Sequence, residues 1–77
     1  MTVEEARALA VEAARADPDL GHLPLAEEVW AGGDAYAFGY DSPEVLMDGP
    51  VFLVRDGRVQ VLYGLEGQEA LVGMAPL

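Results

Sequence analysis

The sequence predicts an α+β fold, with an N-terminal helix packed on a three- to four-stranded antiparallel sheet and a short C-terminal helix. Three observations carry this. Residues 3–16 hold helix formers in an amphipathic pattern, residues 35–40 alternate small and aromatic side chains, and "VFLVRDGRVQVLYG" reads as two strands joined by a tight turn.

The helix start is marked by Thr2 and Glu5 at capping-box spacing. Val3, Ala6, Leu9, Ala10, Ala13 and Ala14 then form an apolar stripe, with Glu4–Arg7 and Glu12–Arg15 beside it. The stripe is mostly alanine, which favours close approach to a sheet. "DPD" at Asp17–Asp19 ends the helix, because a residue preceding proline is pushed out of the α region. Residues 21–30 carry a weaker signal, read as a short strand ending near Trp30. The glycines of "AGGD", Ala31–Asp34, then supply a hairpin turn.

Along the next strand Tyr36, Phe38 and Tyr40 share one face, and Ala35, Ala37 and Gly39 the other. The small-residue face offers a seat for the alanine stripe of the helix, or an edge where another backbone approaches. Ser42-Pro43 reads as a helix cap followed by proline in the first turn. Val51 to Val54 are apolar throughout, which predicts an interior strand covered on both sides. Asp56-Gly57 is a preferred pair for a type I′ turn. Leu65, Ala70, Leu71 and Val72 place the C-terminal helix, in which Gly67 costs about 1 kcal/mol relative to alanine.

Seventy-seven residues fit one domain, 1–77, and a chain of this size buries only about 60–65% of its unfolded surface. With no cysteine and a single histidine, neither disulfides nor a thiolate metal site can reinforce it, so a partner subunit is the expected support and a homodimer the expected state. A 52% hydrophobic content with mean hydropathy +0.18 excludes disorder.

Fourteen acidic residues against four arginines and no lysine give a net charge of −10. A duplex or an anionic membrane surface binds through cationic side chains, so neither nucleic acid nor membrane is an expected partner. No basic residue lies between Arg15 and Arg55, a segment that contains Asp17, Asp19, Glu27, Glu28, Asp34, Asp41, Glu44 and Asp48. Such a segment keeps the surface solvated, and it also offers a negative face that steers a basic protein toward it. With no apolar run of membrane-spanning length and an acidic N-terminus, the expected location is the cytoplasm.

Catalytic chemistry finds little support. The chain has one serine and one threonine; Thr2 is committed to the helix cap, and Ser42 lacks both a Gly-x-Ser-x-Gly setting and an adjacent histidine. His22 reads as a loop residue, and Asp17, Asp19, Glu27 and Glu28 match no calcium-loop spacing. No Gly-rich phosphate loop follows a strand. The expectation is a non-enzymatic protein without cofactor or metal. What remains is a set of aromatic rings beside acid, and a small sheet cannot hide all of them.

The order of these features resembles the small bacterial immunity-protein family thirty-five, also described as YrhB-like. The match runs over roughly residues 2–74. Tyr36, Phe38, Tyr40 and Ser42 follow a W-x-F-x-Y-x-S strand motif, with tyrosine where the family has tryptophan. Asp48-Gly49-Pro50 leads into the hydrophobic strand, and Asp56-Gly57 with Val59 matches the acidic-Gly turn and returning strand. The resemblance implies antagonism of a toxin domain by stoichiometric binding, and it assigns no catalytic residue. The expected function is an acidic, immunity-like binding protein that masks a basic partner through Tyr36, Tyr40, Asp41, Glu44 and Asp48. The competing expectation is a structural or chaperone-like homodimer in which an edge strand or the small-residue face pairs with itself.

Overall fold

The computed structural model describes residues 1–41 and 50–77. Helix α1 (Val3–Arg15) is followed by β1 (Trp30–Gly32), β2 (Ala35–Phe38), β3 (Val51–Arg55), β4 (Arg58–Leu62), α2 (Gly64–Leu71) and β5 (Ala75–Pro76). The strands form one antiparallel sheet in the order β4-β3-β2-β1-β5. The α+β class, the N-terminal helix and the short C-terminal helix are as the sequence predicts. The sheet gains a fifth strand from "MAPL", where two residues of β5 pair with β1.

The predicted capping box closes α1. The Glu5 N–H donates to the Thr2 hydroxyl at 3.2 Å, and the Thr2 N–H donates to the Glu5 carboxylate at 2.9 Å. These bonds hold the Glu5 carboxyl below its ordinary pKa. At the other end Asp17 takes over from the helix: its carboxylate accepts from the N–H groups of Asp19 and Leu20, both at 2.8 Å. Gly21 completes this turn. A Cβ there would stand 2.5 Å from the Asp17 carbonyl and 2.7 Å from that of Arg15, so no larger residue fits without moving backbone.

Both hairpins form. Asp56 and Gly57 have φ of 52° and 75°, the pair of left-handed residues that a type I′ turn requires. The first hairpin turns at Gly33-Asp34, later than the predicted Ala31 start, and β1 occupies Trp30–Gly32 in consequence. The strand expected to end near Trp30 therefore begins there. Residues 24–26 instead run beside the end of β2 without forming a ladder. A single bridge joins Leu25 to Tyr40, and Pro24, having no N–H, contributes only its carbonyl.

The core lies between α1 and the aromatic face of the sheet. Ala6, Ala10 and Ala14 pack with Phe38, Tyr40, Phe52, Val54 and Val29, and all are buried. Of the two roles offered for the small-residue face of β2, the seat for the alanine stripe is not the one that forms. Small against large fills space, whereas alanine against alanine across a helix–sheet interface leaves the rings without partners. Ala35 and Ala37 are buried on the opposite face. β3 lies inside the sheet as predicted, but its cover is unequal. Phe52 and Val54 are fully buried under α1, while Val51 and Leu53 on the other face are only half-buried. There α2 rests on the Val51–Leu62 end, and Gly67 is what lets it: a Cβ would lie 3.0 Å from Val51 Cγ2 and 3.2 Å from the Leu62 carbonyl. The helix cap expected at Ser42, with Glu44 and Asp48, falls outside the described residues.

Because Ala10 is fully buried against the sheet, Ala10→Leu is expected to destabilise the fold by about 1–3 kcal/mol through overpacking. Ala8→Leu, on the exposed side of the same helix, is expected to shift stability by no more than about 0.5 kcal/mol. Urea unfolding followed by circular dichroism compares the two directly.

Candidate partner-binding groove

Two side-chain contacts tie α1 to the loop-rich end of the sheet. Arg7 donates from Nη1 to the Ala26 carbonyl at 3.1 Å and from Nη2 to the Glu27 carbonyl at 2.8 Å, with its guanidinium 5.2 Å from the centre of the Phe38 ring. Tyr40 donates its hydroxyl to the Ala14 carbonyl at 2.9 Å, near the C-terminal end of α1, and the same carbonyl also accepts from the Asp17 N–H at 3.2 Å. Its ring meets Phe52 edge-on, with centroids 5.4 Å apart.

Tyr40 is therefore a core residue, 4% exposed, and the expectation that it presents a ring to a partner is corrected. The alternation that puts it on the same face as Phe38 sends it under α1. Burial chiefly, then the charge of Asp17 and the nearby Tyr63, push its phenol pKa above the ordinary value. Phe38 is likewise buried. Tyr36 is half-buried against the same core, and it borders a shallow depression with Glu5, Asp34 and Asp56. Asp41 is exposed, its N–H donating to the Pro24 carbonyl at 2.9 Å. It borders a different depression, so Tyr36 and Asp41 do not converge on one site. Glu44 and Asp48 lie outside the described residues.

The depression at Asp41 combines acidic and apolar side chains. Its walls carry Glu27, Glu28 and Asp41, all exposed, and its apolar surface includes Trp30, Val51 and Leu71. Among the described residues that line it there is no basic side chain. Arg7 fixes one wall by gripping the backbone of Ala26 and Glu27, which leaves the carboxylates of Glu27 and Glu28 on the surface. Trp30, Glu27 and Glu28 were the residues that sequence reasoning undervalued. The adjacent acids and the only tryptophan of the chain stood in "EEVW", but their convergence with Asp41 depends on the Leu25–Tyr40 bridge, which period and composition do not signal.

His22 is exposed in the loop after α1, and no carboxylate lines the hollow it borders among the described residues. Among the described residues no group of three histidine or carboxylate side chains is placed to hold a metal ion, and no helix is long and apolar enough to cross a membrane. Comparison with protein-family models, curated proteins and solved structures gave no match.

Two outcomes follow from these contacts. Replacing Tyr40 with phenylalanine removes the bond to Ala14 and is expected to cost about 1 kcal/mol at neutral pH. A tyrosine whose folded pKa is raised contributes stability that is present below its unfolded pKa, about 10, and is lost as pH rises through the folded value. The parent should thus lose stability between pH 10 and its alkaline transition more steeply than Tyr40→Phe, as measured by urea midpoints across that range. Replacing Arg7 with methionine keeps the apolar stem but abandons both carbonyls, with an expected loss of about 1–3 kcal/mol and faster amide exchange across residues 24–28.

Proposed function

We propose that the protein is a small acidic binding module, immunity-like in action, that masks a basic protein partner such as a toxin domain by stoichiometric association. The observation that carries this reading is the groove in which Glu27, Glu28 and Asp41 border an apolar surface containing Trp30. An apolar floor with an anionic rim suits a segment that presents one apolar or aromatic anchor flanked by arginine or lysine. The carboxylates speed encounter and reject acidic competitors, while burial around Trp30 supplies residence time. The net charge of −10 extends the same preference beyond the groove. The motif order that resembles immunity-protein family thirty-five agrees with this reading, since such proteins act by covering a partner. Nothing in the proposal needs turnover, a cofactor or a metal.

A structural or chaperone-like homodimer is a second reading, favoured by the open edge of β4, and it does not exclude the first. The distinguishing experiment captures proteins from source cells on the immobilised protein, beside the variant Glu27→Gln/Glu28→Gln/Asp41→Asn. The parent is expected to retain a basic protein at about 0.1 M salt and release it at about 0.5 M, where surface charges are screened. The variant is expected to retain at most about a tenth as much. Equal retention by parent and variant, or recovery of the protein alone, would overturn the proposal.

A further inference from the structure

The two edges of the sheet are treated differently. At one edge β5 is two residues long and contains Pro76, which presents little to pair with. At the other, β4 runs for five residues, Arg58–Leu62, with no proline and no lysine, and Val61 is 39% exposed. The type I′ turn fixes which of its backbone groups are free. In a two-residue hairpin the residues flanking the turn form a hydrogen-bonded pair, here Arg55 and Arg58, and the pattern alternates from there. Arg58, Gln60 and Leu62 thus bond toward β3, and Val59 and Val61 direct their N–H and C=O groups away from the sheet. Beyond the strand Tyr63, 57% exposed, follows in the same phase, and Leu65, 71% exposed, stands in the first turn of α2.

Charge narrows the choice of occupant. Gly57 to Leu65 is the longest run of the chain without an acidic residue, and Arg55 and Arg58 sit at its start. A second molecule of a chain with net charge −10 meets less repulsion here than at any acid-studded face. The geometry points to β4 as the interface of a homodimer, in which two copies pair their β4 strands antiparallel across a two-fold axis and join their sheets into one.

The pairing is self-complementary. With the axis at Gln60, Val59 of each copy exchanges both backbone hydrogen bonds with Val61 of the other, and these valines form one apolar patch on the face that carries α1. The alternative register, with the axis at Val61, keeps the same row in contact and sets Val59 against Tyr63. Either way the Arg58 end of one β4 lies beside the Leu62 end of the other, so the arginines of the two copies stand at opposite ends of the ladder and do not face each other. Tyr63 and Leu65, which a lone chain leaves in water, gain a neighbour.

Sedimentation equilibrium tests this on the purified protein. At about 100 µM, well above a micromolar Kd, the expected mass is twice the 8.2 kDa of one chain. Val61→Lys places two ammonium groups across the axis and is expected to weaken association at least tenfold with an unchanged circular dichroism spectrum. Should that variant fail to fold, amide exchange of the parent decides the matter. The N–H groups of Val59 and Val61 are expected to be protected at high concentration and to exchange at least tenfold faster on dilution below the Kd, while those of Gln60 and Leu62 stay protected. A monomer at about 100 µM, an unweakened Val61→Lys dimer, or exchange at Val59 and Val61 independent of concentration would each overturn the assignment.

Discussion

The seating of an alanine stripe on aromatic rings is the constraint from which the remaining architecture follows. Ala6, Ala10 and Ala14 bring α1 close enough to the sheet for Phe38, Tyr40 and Phe52 to fill the interface completely. Only at that separation does the Tyr40 hydroxyl reach the Ala14 carbonyl and the Arg7 guanidinium reach the carbonyls of Ala26 and Glu27. A larger residue in the stripe would lift the helix, and the loop carrying Glu27 and Glu28 would lose its anchor. The core thus determines where the acidic wall of the groove stands, although no core residue is itself acidic.

A chain with so much negative charge can fold because no carboxylate among the described residues is buried in the core. The core of the described residues contains no buried polar or charged side chain, and no buried side-chain oxygen or nitrogen lacks a hydrogen-bond partner. Burial of an unpaired carboxylate would cost several kcal/mol, a large share of the stability of so small a fold. Keeping the acids of the described residues out of the core avoids that cost and produces the negative surface as a by-product. The arginines have more specific work. Arg7 is spent on backbone carbonyls inside the molecule, and Arg55 and Arg58 gather at the tip of the second hairpin.

Local rules made much of the fold legible. The capping box at Thr2, the stop at Asp17, the I′ turn at Asp56-Gly57 and the alternation through Tyr36 to Tyr40 are each decided by residues within a few positions of one another, and each forms. What escaped was decided over long range. Alternation separates the two faces of β2, but nothing in the segment says which face the helix takes. Alternation therefore puts Tyr40 in phase with Phe38 without showing that this phase is the buried one. Trp30 begins a strand that pairs with β2 on one side and with β5, from the far end of the chain, on the other, and "MAPL" carries no strand signature of its own. Gly67 read as a weakness of α2 until its close approach to Val51 showed that the helix needs the missing side chain.

The groove and the open edge lie apart, and this bears on how the molecule works. Trp30, Asp41 and Val51 line the groove from β1, the end of β2 and β3, and no residue of β4 contributes to it. Pairing through β4 therefore leaves both grooves of a dimer open to partners. If both proposals hold, two grooves on one continuous sheet would engage a multivalent or dimeric partner with a high effective concentration for the second contact, and modest affinity per groove would become tight overall capture. A domain too small to bury a large interface can in this way hold a partner by repetition. The acid-free edge would suit that arrangement, since two strongly negative chains repel each other least there and the carboxylates would stay free to meet a positive surface.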